Sequence, residues 1–166
     1  MEKDTLVVDD HDRVIGTKPR NKLAPADIYR VAALWVTNTR GDILLAKRQL
    51  SKQHDPGKWG PAVAGTVEVG QTYRKNILRE AEEELGLRDI RPTRGPKTET
   101  LGQYHHITQW FLLVVDQPVD DFMLAEDEVE QVAWFAPEEL RIQLGNHPDE
   151  FLPNLPKYLS SFAPVI

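Results

Sequence analysis

Residues 65–87 read GTVEVGQTYRKNILREAEEELGL, a glycine loop followed by four glutamates within positions 80–84. At about 100° per residue, a helix through this stretch sets Glu83 and Glu84 on either side of Glu80, so the three share one face. Glu82 falls on another side. Ile77, Ala81 and Leu85 recur every fourth residue and, with Leu78, form an apolar stripe suited to packing on a sheet. Arg79 precedes Glu83 by one turn and can steady its carboxylate. Thr72 is a natural N-cap and Gly86 a natural stop, which predicts a helix over 72–86. Acidic side chains at this spacing repel one another by a few tenths of a kcal/mol per pair. The bland reading is a solvated acidic face. The chemical reading is a hard-oxygen site of the kind that takes Mg²⁺ or Mn²⁺ together with a phosphate-bearing substrate.

Working outward, the chain has 166 residues, 40% hydrophobic and 28% charged, the profile of one globular domain. It contains no cysteine, which removes disulfides, thiolate metal sites and cysteine nucleophiles. Apolar runs such as 31–36 are far too short for a membrane span, and MEKDTLVVDD lacks the apolar core of a signal peptide, so a soluble, cytoplasmic protein with no membrane partner is expected. A net charge of −6 argues against a stable nucleic-acid complex. The charge is uneven: residues 1–58 carry 11 cations and 8 anions, residues 59–166 carry 9 and 18. If both segments line one cleft, that cleft has a basic wall for an anionic ligand and an acidic wall for cations.

No repeat or linker interrupts the chain, so residues 1–166 read as a single domain. An N-terminal hairpin is expected over 4–17, with strands at 5–8 and 13–16. A second hairpin is expected from 28–38 and 43–49 around Thr39–Asp42, and a further strand over 62–68. Beyond the helix, strands are predicted at 98–104, 107–115 and 128–135. Pro137 opens a short helix, and a C-terminal helix spans about 148–161. The fold class is α+β, a mixed sheet sandwiched between helices.

The spacing Gly65, five residues, Gln71, seven residues, then Arg79-Glu80-Ala81-Glu82-Glu83-Glu84-Leu85-Gly86-Leu87 resembles the Nudix box. Only Gln71 departs from the pattern, standing where the family has glutamate. Lys47-Arg48 at a strand end, Trp59 before the loop and Glu128 six residues ahead of Trp134 extend the similarity over a core of about 28–140. The resemblance implies a hydrolase of phosphoanhydride bonds. Glu80, Glu83, Glu84 and the carbonyl of Ala64 would bind Mg²⁺ or Mn²⁺, Glu80 would orient or deprotonate water, Arg79 would hold the carboxylates, and Glu128 would be an additional catalytic carboxylate. Lys47, Arg48, Lys58 and Trp59 are the candidates for substrate contact. The implied substrate is a small diphosphate, of the nucleoside diphosphate class. The amide of Gln71 cannot counter Arg79 as a carboxylate would, and Glu68, in the same loop, is placed to substitute.

The segments 7–23 and 48–72 are further similar to the isopentenyl-diphosphate isomerase branch. That branch needs a cysteine where this chain has Ala64 and histidines that are absent from 20–32 and replaced by Thr66. It also carries a glutamate near Gln109. Isomerase activity is therefore not expected. A non-catalytic diphosphate-binding module, weakened at Gln71, is the alternative to the enzyme. His105 and His106 are adjacent on a strand and point to opposite faces, so they do not form a shared site. Trp110 reads as core, and exposed apolar residues near the N-terminus suggest a homodimer.

Overall fold

The computed structural model describes residues 3–162. In chain order the strands and helices are β1 (Asp4–Val8), β2 (Val14–Pro19), β3 (Ile28–Thr37), β4 (Ile43–Arg48), β5 (Trp59–Pro61), β6 (Val63–Thr66), α1 (Tyr73–Leu85), β7 (Thr93–Thr100), β8 (His105–Val114), β9 (Val129–Phe135), α2 (Pro137–Asn146) and α3 (Leu155–Phe162). All nine strands join one mixed sheet. β3 is its spine, pairing antiparallel with β1, β4 and β6 and parallel with β8 along its whole length.

Alternation along β3 divides the core into two layers. Ala32, Leu34 and Val36 face α1, where they meet Ile77, Ala81 and Leu85. Ala33 and Trp35 face the other way, against Leu140 of α2 and Leu155, Tyr158 and Leu159 of α3. A period of two places successive side chains on opposite faces, so a strand covered on both sides reads as a continuous apolar run. The sandwich expected from the sequence is thus present. Ile77 and Leu85 are almost wholly buried, which contributes about 1.5–3 kcal/mol apiece.

The helix α1 begins and ends as its sequence dictates. Thr72 Oγ1 accepts a hydrogen bond from the Lys75 N–H at 3.1 Å. Gly86 adopts φ 70°, with its N–H on Glu82 O and that of Leu87 on Ala81 O, the pairing that closes orphan carbonyls at a left-handed C-terminus. Met123 Cβ lies 2.8 Å from where a side chain on Gly86 would start, a second reason for glycine there.

Three segments differ from the sequence expectation. The strand predicted at 98–104 is displaced to Thr93–Thr100, and 101–104 form the turn into β8. Gly95-Pro96 reads as a break, yet the register between β7 and β8 shifts there, and β7 is an edge strand, where a missing N–H is tolerated. The strand predicted at 62–68 is shorter, Val63–Thr66, and pairs with β3, while an unpredicted short strand, β5, precedes it at Trp59–Pro61 and pairs with β4, the chain bending at Ala62 between them. The C-terminal helix starts only at Leu155, since 148–150 form a separate tight turn and Phe151 bridges to Trp59.

The N-terminal hairpin is longer than expected, with β2 reaching Pro19, and its loop is held by a charged hub. Asp12, at φ 61°, accepts hydrogen bonds from Arg30 Nε at 2.7 Å, Lys97 Nζ at 2.6 Å and Tyr73 Oη at 2.9 Å. Arg30 and Lys97 also lie over the Tyr73 ring. The hub ties the hairpin to β3, β7 and the start of α1. β2 is a sheet edge and carries exposed Val14 and Ile15, the apolar residues behind the expected dimer contact. Among the described residues no helix is long and apolar enough to cross a membrane.

Candidate active site

A cleft of about 530 Å³ opens where β4, β5, β6, the 66–68 segment and α1 meet. Both charge classes of the sequence line it. Lys3, Arg20, Lys47, Arg48 and Lys52 come from the first third of the chain, and Glu68, Glu80, Glu83, Glu84, Asp127 and Glu128 from the remainder. With Asp4 and Arg79 as the exceptions, the charge asymmetry of the chain is thus reproduced within one cavity.

Glu80 and Glu84, one turn apart on α1, are drawn together. Burial pushes both carboxyls above their ordinary range. Glu84 also faces the charges of Glu80 and Glu128 and is raised to about 9. It therefore holds a proton near neutral pH and donates it to Glu80. Glu83 stands apart: its side chain is 56% exposed and lies 3.4 Å from Arg79. Among the described residues no three His, Cys, Asp or Glu side chains converge on one point. Of the three glutamates read as one face, the structure thus gathers two.

Arg79 lies at the centre of the charged groups on α1. Its Nη2 donates to Asn76 Oδ1 at 2.9 Å and lies 3.2 Å from Glu80 and 3.5 Å from Glu68. Its Nε is buried without a partner among the described residues. Asn76 is fully buried and also donates to the Gly65 carbonyl at 3.4 Å, linking the glycine loop to the arginine. The sequence reading missed Asn76, although it sits four and seven residues before Glu80 and Glu83 and therefore shares their face.

Gly65 is required by close approach. A Cβ there would lie 2.9 Å from the Glu80 carboxyl carbon and 3.1 Å from its Oε1. Gly65→Ala is expected to leave thermal stability nearly unchanged, since a flexible side-chain end can yield. Displacing that carboxylate should lower kcat by about 10–100-fold, measured beside a melting curve.

Glu128 lies at the cleft mouth, paired with Lys52. Arg48 lines the cleft and donates through Nε to His54 O at 2.9 Å. Ala64 is exposed to the cleft next to Gly65. Lys58 and Trp59 do not line it. Trp59 belongs to the face bearing Ile43, Leu45 and Phe135, and its ring stands edge-on to Phe135 at 5.3 Å, so the substrate contact expected of it is replaced by a core contact. Trp110 is buried as expected. His105 pairs with Glu99, whereas His106 packs against Tyr29, and neither lines the cleft. Gln109 is buried and donates to Gly95 O and Trp110 O, outside the cleft.

The family pattern described as NUDIX domain matches residues 28–155. The chain belongs to the Nudix hydrolase family. It is 31% identical over 159 residues to a Nudix hydrolase of Yersinia pestis, covering 93% of this chain and 82% of that one. A Nudix hydrolase of Escherichia coli, YfcD, is 29% identical over 159 residues, with 93% and 83% covered. The crystal structure of DR0079 from Deinococcus radiodurans superposes with a TM-score of 0.78 at 21% identity, covering 96% of this chain and 98% of that one, which establishes the fold.

As a Nudix hydrolase, this chain acts on pyrophosphate bonds, and the family uses divalent metal ions. The donor set fits such an ion. Carboxylate oxygens are hard ligands, and the half-buried Glu80–Glu84 pair now shares a proton that a dication would displace.

Proposed function

We propose that this Nudix hydrolase uses Mg²⁺ or Mn²⁺ to hydrolyse the diphosphate linkage of a nucleoside diphosphate joined to another group. The observation that carries the reading is the half-buried Glu80–Glu84 pair lining one cleft with Lys47, Arg48 and Lys52. A diphosphate needs both walls, because its oxygens repel an attacking hydroxide until cations neutralise them. The bound ion would supply that neutralisation and acidify a water. Glu80, Glu84, Glu83 and the Ala64 carbonyl are assigned to hold it.

The chain's own groups do the rest. Glu80, held beside Gly65 and Arg79, orients the attacking water and accepts its proton. Arg79 fixes Glu80 and Glu83 by charge-assisted contacts. Lys47 and Arg48 bind the phosphates and align the scissile bond. Glu128, close enough to raise Glu84, is a second proton acceptor at the mouth. No aromatic side chain lines the cleft among the described residues, so a base would be held there without ring stacking.

The test is a panel of diphosphates incubated with Mg²⁺ or Mn²⁺, reading phosphate or monophosphate release. Release that is lost in the Glu80→Gln protein supports hydrolysis. Binding without release supports the non-catalytic module, and allylic rearrangement without phosphate products the isomerase.

Metal binding has a separate signature. Because Glu84 is raised to about 9, binding near neutral pH is expected to release a proton from the pair, and affinity is expected to climb with pH until that carboxyl ionises. Calorimetry in buffers of different ionisation enthalpy measures the release. No proton released near neutral pH would count against this carboxylate pair as the ligand.

A further inference from the structure

The one departure from the family pattern, Gln71, has a structural answer in its own loop. Residues 68–71 form a tight turn in which the Gln71 N–H donates to Glu68 O at 3.0 Å and Gly70 takes φ 84°. The first and fourth residues of such a turn lie within about 7 Å of each other, so a charge moved from one to the other stays in the same neighbourhood. The Gln71 amide has no hydrogen-bond partner among the described residues, whereas the Glu68 carboxylate lies 3.5 Å from Arg79 Nη2. Glu68 is itself anchored from outside the matched family region. Lys3 Nζ donates to its Oε1 at 2.7 Å, and its backbone bridges to Thr5 of β1.

We propose that Glu68 is a positioning residue of this site. Held by Lys3 and β1, it supplies across a turn the anionic partner of Arg79 that Gln71 cannot, and the N-terminal strand is thereby part of the catalytic apparatus. Arg79 bears on Glu80 at 3.2 Å and Glu83 at 3.4 Å, so losing its outer partner loosens both carboxylates. This inference rests on the metal-dependent reading above.

The experiment uses the full chain with Glu68→Gln, Gln71→Glu, the double variant and Lys3→Met. Three quantities are read: Mn²⁺ affinity from the free-ion EPR signal without substrate, kcat and KM, and the Arg79 guanidinium resonances of the metal-free protein. Glu68→Gln is expected to weaken Mn²⁺ binding and kcat by about 10–100-fold, with KM little changed. The double variant should recover most of that loss, because a carboxylate is restored on the other side of the turn. Gln71→Glu alone should change little, and Lys3→Met should give a smaller loss than Glu68→Gln. A merely structural Glu68 would show no such rescue. Unchanged Mn²⁺ affinity in Glu68→Gln, or a double variant as weak as the single, overturns the proposal. Should wild-type protein bind no Mn²⁺, the metal reading falls. The Arg79 resonances then decide separately: shifted by Glu68→Gln and restored in the double variant they uphold Glu68, and unmoved they refute it.

Discussion

Glu80→Gln is expected to lower kcat by about 10²–10⁴-fold while the protein folds normally, the range seen when a positioned proton acceptor is removed. Glutamine keeps the shape that fits between Gly65, Glu84 and Arg79 and removes only the charge. Glu80 is 16% exposed and already disfavoured as an anion by burial, so the metal-free variant should melt at the same temperature or slightly higher. Steady-state kinetics with saturating Mn²⁺ and a melting curve measure the two effects together. Lower activity beside equal or greater stability is the pattern of a site held in an unfavourable charge state for function. Full activity in this variant would remove Glu80 from the chemistry.

Asp12→Ala should produce the largest loss of stability, about 3 kcal/mol, because it leaves the Arg30 charge largely buried without its partner. For a chain of this size that lowers Tm by roughly 6–12 °C. Asp12→Asn, which also tolerates a positive φ, separates charge from backbone strain. The pH dependence follows from the same contacts. Burial by itself raises the Asp12 carboxyl, but the hydrogen bonds from Lys97, Arg30 and Tyr73 outweigh it and hold the group below its ordinary range. The unfolded chain therefore takes up this proton first as pH falls. The stabilisation is complete above the ordinary aspartate range, near about 3.9, and drains away as pH drops through the lower folded value. Urea unfolding of wild type and Asp12→Ala across that range should converge at the acid end. Parallel curves would mean that the hub contributes nothing through its charge.

What could be read from the sequence was whatever depends on local period and end signals. α1 is bounded by Thr72 and Gly86 and faces the sheet with Ile77, Ala81 and Leu85, all of which follow from helical spacing. The layered architecture follows from the unbroken apolar run in β3. Tertiary partners were not legible. Gly95-Pro96 reads as a break until an edge position accommodates it, and the glycines and proline of 57–61 read as a break although 59–61 finds a place beside β4. Helical spacing puts three glutamates on one side of α1 and Arg79 within reach of Glu83, but it does not reveal that Glu84 turns toward Glu80 while Glu83 stays outside with Arg79. Asp12, an ordinary loop aspartate in one dimension, becomes a hub only because residues 30, 73 and 97 arrive from three other elements.

The position of β3 in the sheet bears on how the chain reaches its native state. Its parallel neighbour, β8, is separated from it by four other strands and the whole of α1 in the chain. Such a pairing must close a long loop before it is rewarded, so it belongs to the slow steps of assembly. Until β8 docks, β3 presents a bare, strongly apolar edge, the kind of surface on which nascent chains associate wrongly. Synthesis beyond residue 114 is thus the point at which this protein can first protect its own centre.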